Sequence, residues 1–550
     1  MNLSSSKNRS NLILALTSTT FDLIVIGGGI TGAGIALDAA SRGLKVALLE
    51  KKDFASGTSS KSTKLIHGGL RYLKQLEIGL VRETGTERAI VHRLAPHLVV
   101  PEKMLLPLVE KGTYGKLGTS IGLAVYDFLA EVSSADRRKM LSREETLAKE
   151  PLLKQDGILG GGFYAEYRTD DARLTIEIIK KAIEFGANCI NYVEVHDFSY
   201  DESGKINGVI ANDLIDQQAL DINASFIVNA TGPWVDQLRK QDNSLKGKRL
   251  FLSKGVHIVV PHERLPIKQS VYFDVPDGRM VFAIPRHRTT YIGTTDTPYE
   301  ESIDQVLTQQ EDVDYLLQAA NSMFPDVHLS NEDVESSWAG LRPLIYEEGK
   351  SASQMSRKDE IFESESGLIS IAGGKLTGYR KMAERIVNLV IKKHPNKEEF
   401  KTCYTNKIPL AGGHFKTSKD VADYKVEIEK KVVQKQLAEY YAIYLVSNYG
   451  KQTDEILAKM NDFEGNSEEK LIRAELWFTL QQEMVHTPLD FFNRRTGRVY
   501  FNLPSILRLS TVVLQDIQAY FNWSDEKAKL EEELLQMELQ EVSEFDFAVR

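Results

Sequence analysis

Residues 21–50, FDLIVIGGGITGAGIALDAASRGLKVALLE, constrain the fold more than any other stretch of the chain. Leu23 to Ile26 is a short apolar, β-branched run, the pattern of a strand buried on both faces of a parallel sheet. Gly27, Gly29 and Gly32 follow on the G-x-G-x-x-G spacing, and Ile30, Ala33, Leu37 and Ala40 continue at helical spacing until Gly43. Leu44 to Leu49 reads as a second strand, closed by the acid Glu50. Strand, glycine turn, helix, strand and terminal acid together make a dinucleotide-binding βαβ unit. Gly27 permits the tight turn, Gly29 lets backbone approach a pyrophosphate, and Gly32 lets the helix pack close to the strand. Ile30 and Thr31 open a helix whose free N–H groups stabilise that pyrophosphate by about 0.3–1 kcal/mol per charge. Glu50 is placed to accept hydrogen bonds from both hydroxyls of an adenosine ribose that carries no 2′-phosphate.

The rest of the chain must supply the chemistry. Its 550 residues predict about three to four domain-sized units, some built from separated segments. A net charge of −9 gives no global attraction to nucleic acid. Two cysteines far apart, Cys189 and Cys403, fit a reducing compartment and speak against disulfides or a thiolate metal site, so no metal is expected. No segment approaches the roughly 18 apolar residues of a membrane-spanning helix. Leu12 to Leu16, after Lys7 and Arg9, is too short for a typical secretory core and reads as a short helix beside the βαβ unit. The expected location is cytoplasmic, with peripheral membrane contact left open.

After Glu50 the chain is rich in small and polar residues, as suits a loop whose backbone lies close to a ligand. A helical pattern covers Ile78 to Leu94, and Val99 to Val109 has strand character and begins a second domain. Residues 111–155 look largely helical, with a capping-box signature at Ser142 to Glu145. A long helix is expected from Leu174 to Phe185, then strands at Ile206 to Ala211 and Ala224 to Asn229, the second running into the turn at 229–234. Residues 250–297 read as several strands, with turns at 276–278 and at Pro285; residues 302–324 return to helix. Ile369 to Lys375 is strand into glycine turn, followed by helix to Ile391. Beyond about residue 395 the chain becomes charge-rich, glycine-poor and helical, closing with an acidic amphipathic helix from Asp525 to Glu544.

Seven further motifs accompany the glycine fingerprint: SSKSTKLIHGGLRYL (59–73), YRTDDARL (167–174), VNATGPWVD (228–236), KGVHIVVP (254–261), YIGTTDTPY (291–299), WAGLRPL (338–344) and IAGGKLTGYRKMAE (371–384). With RRTG at 494–497, they make the chain resemble the FAD-dependent, quinone-linked glycerol-3-phosphate dehydrogenases of the amino-acid-oxidase-like flavoprotein superfamily. The resemblance implies an α/β fold: a Rossmann-like FAD-binding domain (21–97, 156–250 and 338–395) interleaved with an α+β substrate domain (98–155 and 251–337). An N-terminal extension (1–20) and an all-α C-terminal domain (396–550) flank them. FAD is the implied cofactor, and the sequence carries no second glycine fingerprint for a nicotinamide dinucleotide. Besides the fingerprint residues and Glu50, the flavin contacts carried over are Lys51, Thr58, Ser59, Ser60, Lys64, Leu65, His67, Gly68, Val195, Ala230, Thr231, Gly232, Gly374, Lys375, Leu376 and Thr377.

The implied substrate, glycerol 3-phosphate, is a small dianion with one reactive secondary alcohol. It calls for several converging cations, a role arginine's planar fork suits, and a group that takes the hydroxyl proton. The motifs assign Arg71, Tyr72, His257, Arg342, Arg357 and Lys375 to this pocket. His257 is the expected proton acceptor, because histidine ionises near neutral pH, and Arg342 is the rival as stabiliser of the developing alkoxide. The implied reaction carries the C2 hydride to flavin N5, gives dihydroxyacetone phosphate, and hands the electrons to a membrane quinone. Two alternatives stay open: an oxidase using O2, and an amine- or hydroxy-acid-oxidising flavoenzyme on the same scaffold. For contact with an anionic lipid surface at the inner face of the membrane, two basic stretches stand out, Lys425 to Lys435 and Arg494 to Arg498. The second is preferred because Phe491, Phe492, Tyr500 and Phe501 interleave with it. A homodimer is left open.

Overall fold

The computed structural model describes residues 5–66, 78–110, 112, 138–346 and 358–545. The βαβ unit forms as its pattern predicts. Strand Phe21–Ile26 is almost wholly buried and pairs in parallel with Val46–Leu49 on one side and Gln218–Asn229 on the other. Helix Ile30–Arg42 between them ends at Gly43, whose φ of +105° supplies the left-handed cap. Among the described residues the sheet runs Asp359–Glu363, Ile369–Gly373, Gln218–Asn229, Phe21–Ile26, Val46–Leu49, Asn188–Ile190, and two antiparallel strands, Val193–Tyr200 and Ile206–Asp213, extend it from Gln218–Asn229. Helices Asp171–Glu184 and Tyr379–Lys393 pack on Ile30–Arg42. The N-terminal helix Arg9–Ser18 buries Leu12, Ile13 and Leu16 beside this sheet, as its short apolar run suggests.

A second, mostly antiparallel sheet is centred on the long strand Leu250–Pro261, which pairs with Ser336–Ile345 and with Thr289–Gly293. The sheet continues through Met280–Arg286, Ser270–Asp274, Val100–Val109 and Ile158–Arg168 to Leu65–Ile66. Ile158–Arg168, and Ser336–Ile345 from Trp338 on, fall in segments expected for the FAD-binding domain, yet their ladders belong to this second sheet. Lys139–Leu141 is also strand, paired with Ile158–Arg168, where helix was expected; the capping box at Ser142 does form, and it starts helix Arg143–Lys149. Pro285 is not a turn. It lies inside Met280–Arg286, beyond the last pairing with Ser270–Asp274, on a stretch of edge where proline's missing donor costs no ladder bond. The chain turns instead at His287, with φ +54°. Helix begins at Gln310 rather than 302, after a loop.

From Ser418 to Ser543 the structure is helical, and its core is continuous with the face of the second sheet that carries Val259, Phe282 and Trp338. Phe491, Phe492, Val499, Tyr500 and Phe501 pack in one cluster with Val259, Phe282, Tyr291 and Trp338. This corrects the expected lipid contact: Phe491 and Phe492 are fully buried, Arg495 likewise, and Arg494 and Arg498 nearly so. Basic and aromatic residues interleave here because a π-helical turn, Asp490–Arg495, sends its aromatic rings into the domain junction and its arginines to buried acids. No helix among the described residues is long and apolar enough to cross a membrane.

The acids complete the junction. Asp53, in the loop just after Glu50, accepts from Arg494 Nε at 2.5 Å and from Arg495 Nη1 and Nη2 at 2.7 and 2.9 Å. Burial alone would push this carboxyl up, but Arg495 and Arg494 hold it well below the usual carboxylate range. Arg173 and Lys180 reach across to Glu483 at 2.6 and 2.9 Å. Replacing Asp53 by alanine removes the acid that two buried guanidinium groups share, leaving Arg494 to Asp490 and Arg495 to the Glu483 carbonyl, and is expected to destabilise docking of the helical domain by about 3 kcal/mol. Urea titration with limited proteolysis at the 395–417 connection measures this. In the wild type the Asp53 contribution is present above the unfolded aspartate pKa of about 3.9 and is lost as pH falls below it, so that acid sensitivity should shrink in Asp53→Ala.

Candidate active site

One cavity of about 1230 Å³ runs along the C-terminal ends of the first sheet and over one face of the second. It exceeds the roughly 300–1,000 Å³ of an ordinary small-molecule pocket, so a dinucleotide and a small substrate fit together. Gly27, Gly29, Ile30, Thr31, Glu50, Lys51, Thr58, Ser59, Leu65, Val195, Ala230, Thr231, Gly232, Gly374, Lys375, Leu376 and Thr377 all line it, together with His257 and Arg342.

The cradle is built by close backbone approach. Gly27 has φ +109°, and a Cβ there would stand 2.7 Å from the Ala230 carbonyl oxygen; a Cβ on Gly32 would meet the Gly27 carbonyl oxygen at 1.9 Å. Gly32 therefore lies beneath the cavity and shapes it by letting the helix approach. The Glu50 carboxylate accepts from the Gly28 and Lys52 N–H groups at 2.7 and 2.8 Å. Burial pushes its pKa up, and those two donors oppose the rise. An acid oriented by backbone and open to the cavity is what a ribose diol requires, and the glycine turns at 27–29 and 373–374 leave backbone bare for a flavin. The residues present fit FAD.

Besides Gly32, two expected cofactor residues, Ser60 and Lys64, do not line the cavity. The Lys64 ammonium turns away, held by Asp171 at 2.5 Å and the Ser60 carbonyl at 3.0 Å, and with Ser60 it fastens the loop rather than lining the cavity. The Lys51 side chain bonds Asp304 at 3.0 Å, so it meets the cavity beside a strap from the second domain. His67, Gly68, Arg71, Tyr72 and Arg357 lie outside the described residues.

On the second sheet, two side chains lie across glycines of neighbouring strands. His257 and Gly293 are directly paired, and a Cβ on Gly293 would meet the imidazole at 2.1 Å; a Cβ on Gly255 would meet the Arg342 guanidinium at 2.2 Å. Strand glycines commonly mark such close approach. Arg342 donates to Thr294 Oγ1 at 2.8 Å and the Thr295 carbonyl at 3.1 Å, with Asp296 at 3.4 Å. His257 is 1% exposed and stacks on Trp338 with centroids 4.7 Å apart and planes 13° from parallel. Its Nε2 lies 3.0 Å from Thr63 Oγ1, and its Nδ1 is buried without a hydrogen-bond partner among the described residues. Burial, then the Arg342 and Lys64 cations, push the His257 pKa well below 6.5, so the ring is neutral at physiological pH. Thr63, Gly255, Gly293, Asp296 and Trp338 were not singled out individually in the sequence. The available signal was a glycine inside each of two strand patterns, KGVH and YIGTT.

Comparison with known proteins agrees with this geometry. The model of the family described as FAD dependent oxidoreductase matches residues 22–380, and that of the C-terminal domain of alpha-glycerophosphate oxidase matches 403–528. The aerobic glycerol-3-phosphate dehydrogenase of Bacillus subtilis (strain 168) is 51% identical over 531 residues, covering 96% of this chain and 95% of that one. The enzyme of the same name from Staphylococcus epidermidis is 50% identical over 533 residues, with the same coverage of both chains. Among solved structures, the glycerol-3-phosphate dehydrogenase from Bacillus halodurans, complexed with FAD, superposes with a TM-score of 0.85 at 43% identity, covering 99% of this chain and 100% of that one. A glycine oxidase from Geobacillus kaustophilus, 21% identical with a TM-score of 0.52, shares the fold over 69% of the chain. By these matches the chain belongs to the aerobic glycerol-3-phosphate dehydrogenases, within the FAD dependent oxidoreductases.

Proposed function

We propose that this protein oxidises sn-glycerol 3-phosphate to dihydroxyacetone phosphate and delivers the electrons to a membrane quinone. The observation that carries this reading is a cavity that joins the Gly27–Glu50 cradle to Arg342 and His257, in a chain about half identical to relatives named aerobic glycerol-3-phosphate dehydrogenase. Bound FAD supplies the two-electron acceptor. Arg342, fixed by Thr294 and Thr295 and lining the cavity, binds the substrate phosphate in this proposal, and Lys375 adds a second cation on the cavity wall. Arg71, Tyr72 and Arg357 complete the anion site in this proposal. His257, held neutral and flat against Trp338, takes the hydroxyl proton.

The C-terminal family model is named for an oxidase, which makes oxygen the rival acceptor. Electron flow to a soluble quinone analogue, with little oxygen uptake in its absence, is the expected result. Inner-face membrane attachment also belongs to the proposal. Of the two basic stretches, Lys425 to Lys435 is the one at the surface, where Lys430 stands exposed on one helix face with Val426 and Val433. Pelleting with anionic liposomes, compared between wild type and Lys430→Glu, tests that face, and gel filtration tests a homodimer.

Anaerobic glycerol 3-phosphate should bleach the flavin absorption band of the purified protein; an unchanged band would refute the activity. Arg342→Lys keeps a charge but loses the planar fork, and KM should rise by about 10- to 100-fold, the worth of one or two charged hydrogen bonds. His257→Ala should slow flavin reduction by about 10²- to 10⁴-fold. Because the His257 pKa lies well below 6.5, its neutral form persists as pH falls, and kcat/KM should show no acid limb centred near 6.5.

A further inference from the structure

A base must offer a lone pair to the proton it takes, and His257 offers neither nitrogen directly to the cavity. Nδ1 is buried with no partner among the described residues, and Nε2 is covered by the Thr63 hydroxyl at 3.0 Å. Thr63 itself lines the cavity and is only half-buried. We infer that the Thr63 hydroxyl relays the proton between the substrate's secondary alcohol and His257 Nε2, which makes Thr63 a further catalytic residue; the inference rests on the function proposed above.

The local structure holds this hydroxyl in place from several sides. Tyr291 donates to the Thr63 carbonyl at 3.1 Å, and the Trp338 indole N–H donates to the Ser62 carbonyl at 3.1 Å. The Ser62 N–H and the Lys64 ammonium both bind Asp171, at 3.0 and 2.5 Å. The histidine is clamped in turn, with one face of its ring on Trp338 and its edge in the space left by Gly293. Donor and acceptor are thus fixed at hydrogen-bond length before substrate arrives, the condition for efficient proton transfer.

The step balances. The alcohol proton passes to Thr63 Oγ1 while the threonine's own proton passes to Nε2, so Thr63 ends as it began and His257 becomes imidazolium. The C2–H hydrogen leaves with its electron pair to the bound flavin, the oxidant, and the C2–O bond becomes the ketone. Once the ketone has left, the proton passes from Nε2 through the Thr63 hydroxyl to water that enters the emptied cavity, which resets the histidine. The Arg342 and Lys64 charges, which disfavour imidazolium in the resting site, are partly offset once the dianionic phosphate lies beside Arg342.

Rapid-mixing flavin reduction of the FAD-loaded protein tests the relay. Thr63→Val, which keeps the side-chain shape, should lower the limiting reduction rate by about 10²-fold or more, with the substrate dissociation constant and the flavin-to-protein absorbance ratio little changed. Thr63→Ser should restore most of the rate. A proton inventory on wild-type protein, which needs no variant to fold, should curve as two protons in flight require. A wild-type rate in Thr63→Val or a linear inventory would overturn the relay. These outcomes are separable from failure of the proposed function, which would appear as no bleaching of the wild-type protein by glycerol 3-phosphate.

Discussion

Asp53 follows Glu50 by three residues in sequence, so the loop that positions the ribose acid also carries the carboxylate that receives Arg494 and Arg495. Neither side of that contact tolerates solitude. A fully buried aspartate without its arginines faces a desolvation cost of several kcal/mol, and so does each guanidinium without its acid. The same logic extends through Glu483, which joins Arg173 and Lys180 of the flavin-side helix to the C-terminal domain. Asp53, Glu177, Glu483 and Asp490 face Arg173, Lys180, Arg494 and Arg495, so the buried charges at this junction balance. Such networks add little net stability compared with apolar packing, but they admit one register. The helical domain is thus tied directly to the loop that follows Glu50.

The helical domain reaches the reacting centre through Trp338. One face of its ring supports His257, while Tyr500 and Phe501 pack around it at centroid distances of 5.1 and 5.7 Å. Ser336 donates to the Tyr500 carbonyl at 2.7 Å on the same strand. The imidazole is thus one layer of side chain away from the helical domain, and its plane is set by aromatic packing rather than by hydrogen bonds to both nitrogens. A domain without cavity-lining residues of its own among those described still supports the His257 ring through Trp338.

Local patterns carried much of this architecture into the sequence. The βαβ unit is legible because strand burial, glycine spacing and helix period all lie within thirty residues, and they agree. Lys375, Arg342 and His257 were legible only through resemblance, since a histidine in a strand is by itself an ordinary core residue. The sequence misled where partners are distant. Arg494 to Arg498, read along the chain, is a basic and aromatic patch suited to lipid; its acids, Asp53, Glu475 and Glu483, stand elsewhere in sequence, and no local pattern connects them. Lys139–Leu141 and Ile158–Arg168 changed allegiance for a similar reason, because ladder pairing between non-adjacent segments decided their state. Gly255 and Gly293 were visible as letters, but the side chains they make room for come from neighbouring strands.

The charge arrangement around His257 joins binding to chemistry. An arginine near a base weakens the base that the proposed reaction needs. In the resting site burial, and then the Arg342 and Lys64 cations, keep the imidazole neutral, so its lone pair is not lost to a solvent proton. In the proposed reaction, a phosphate dianion beside Arg342 makes the ring more basic at the moment a hydroxyl proton must be taken. A glycerol without phosphate would add no such charge, and imidazolium would stay disfavoured. Selection for the phosphorylated substrate would then arise in the proton-transfer step as well as in affinity, and binding energy from a non-reacting group would be expressed at the reacting carbon.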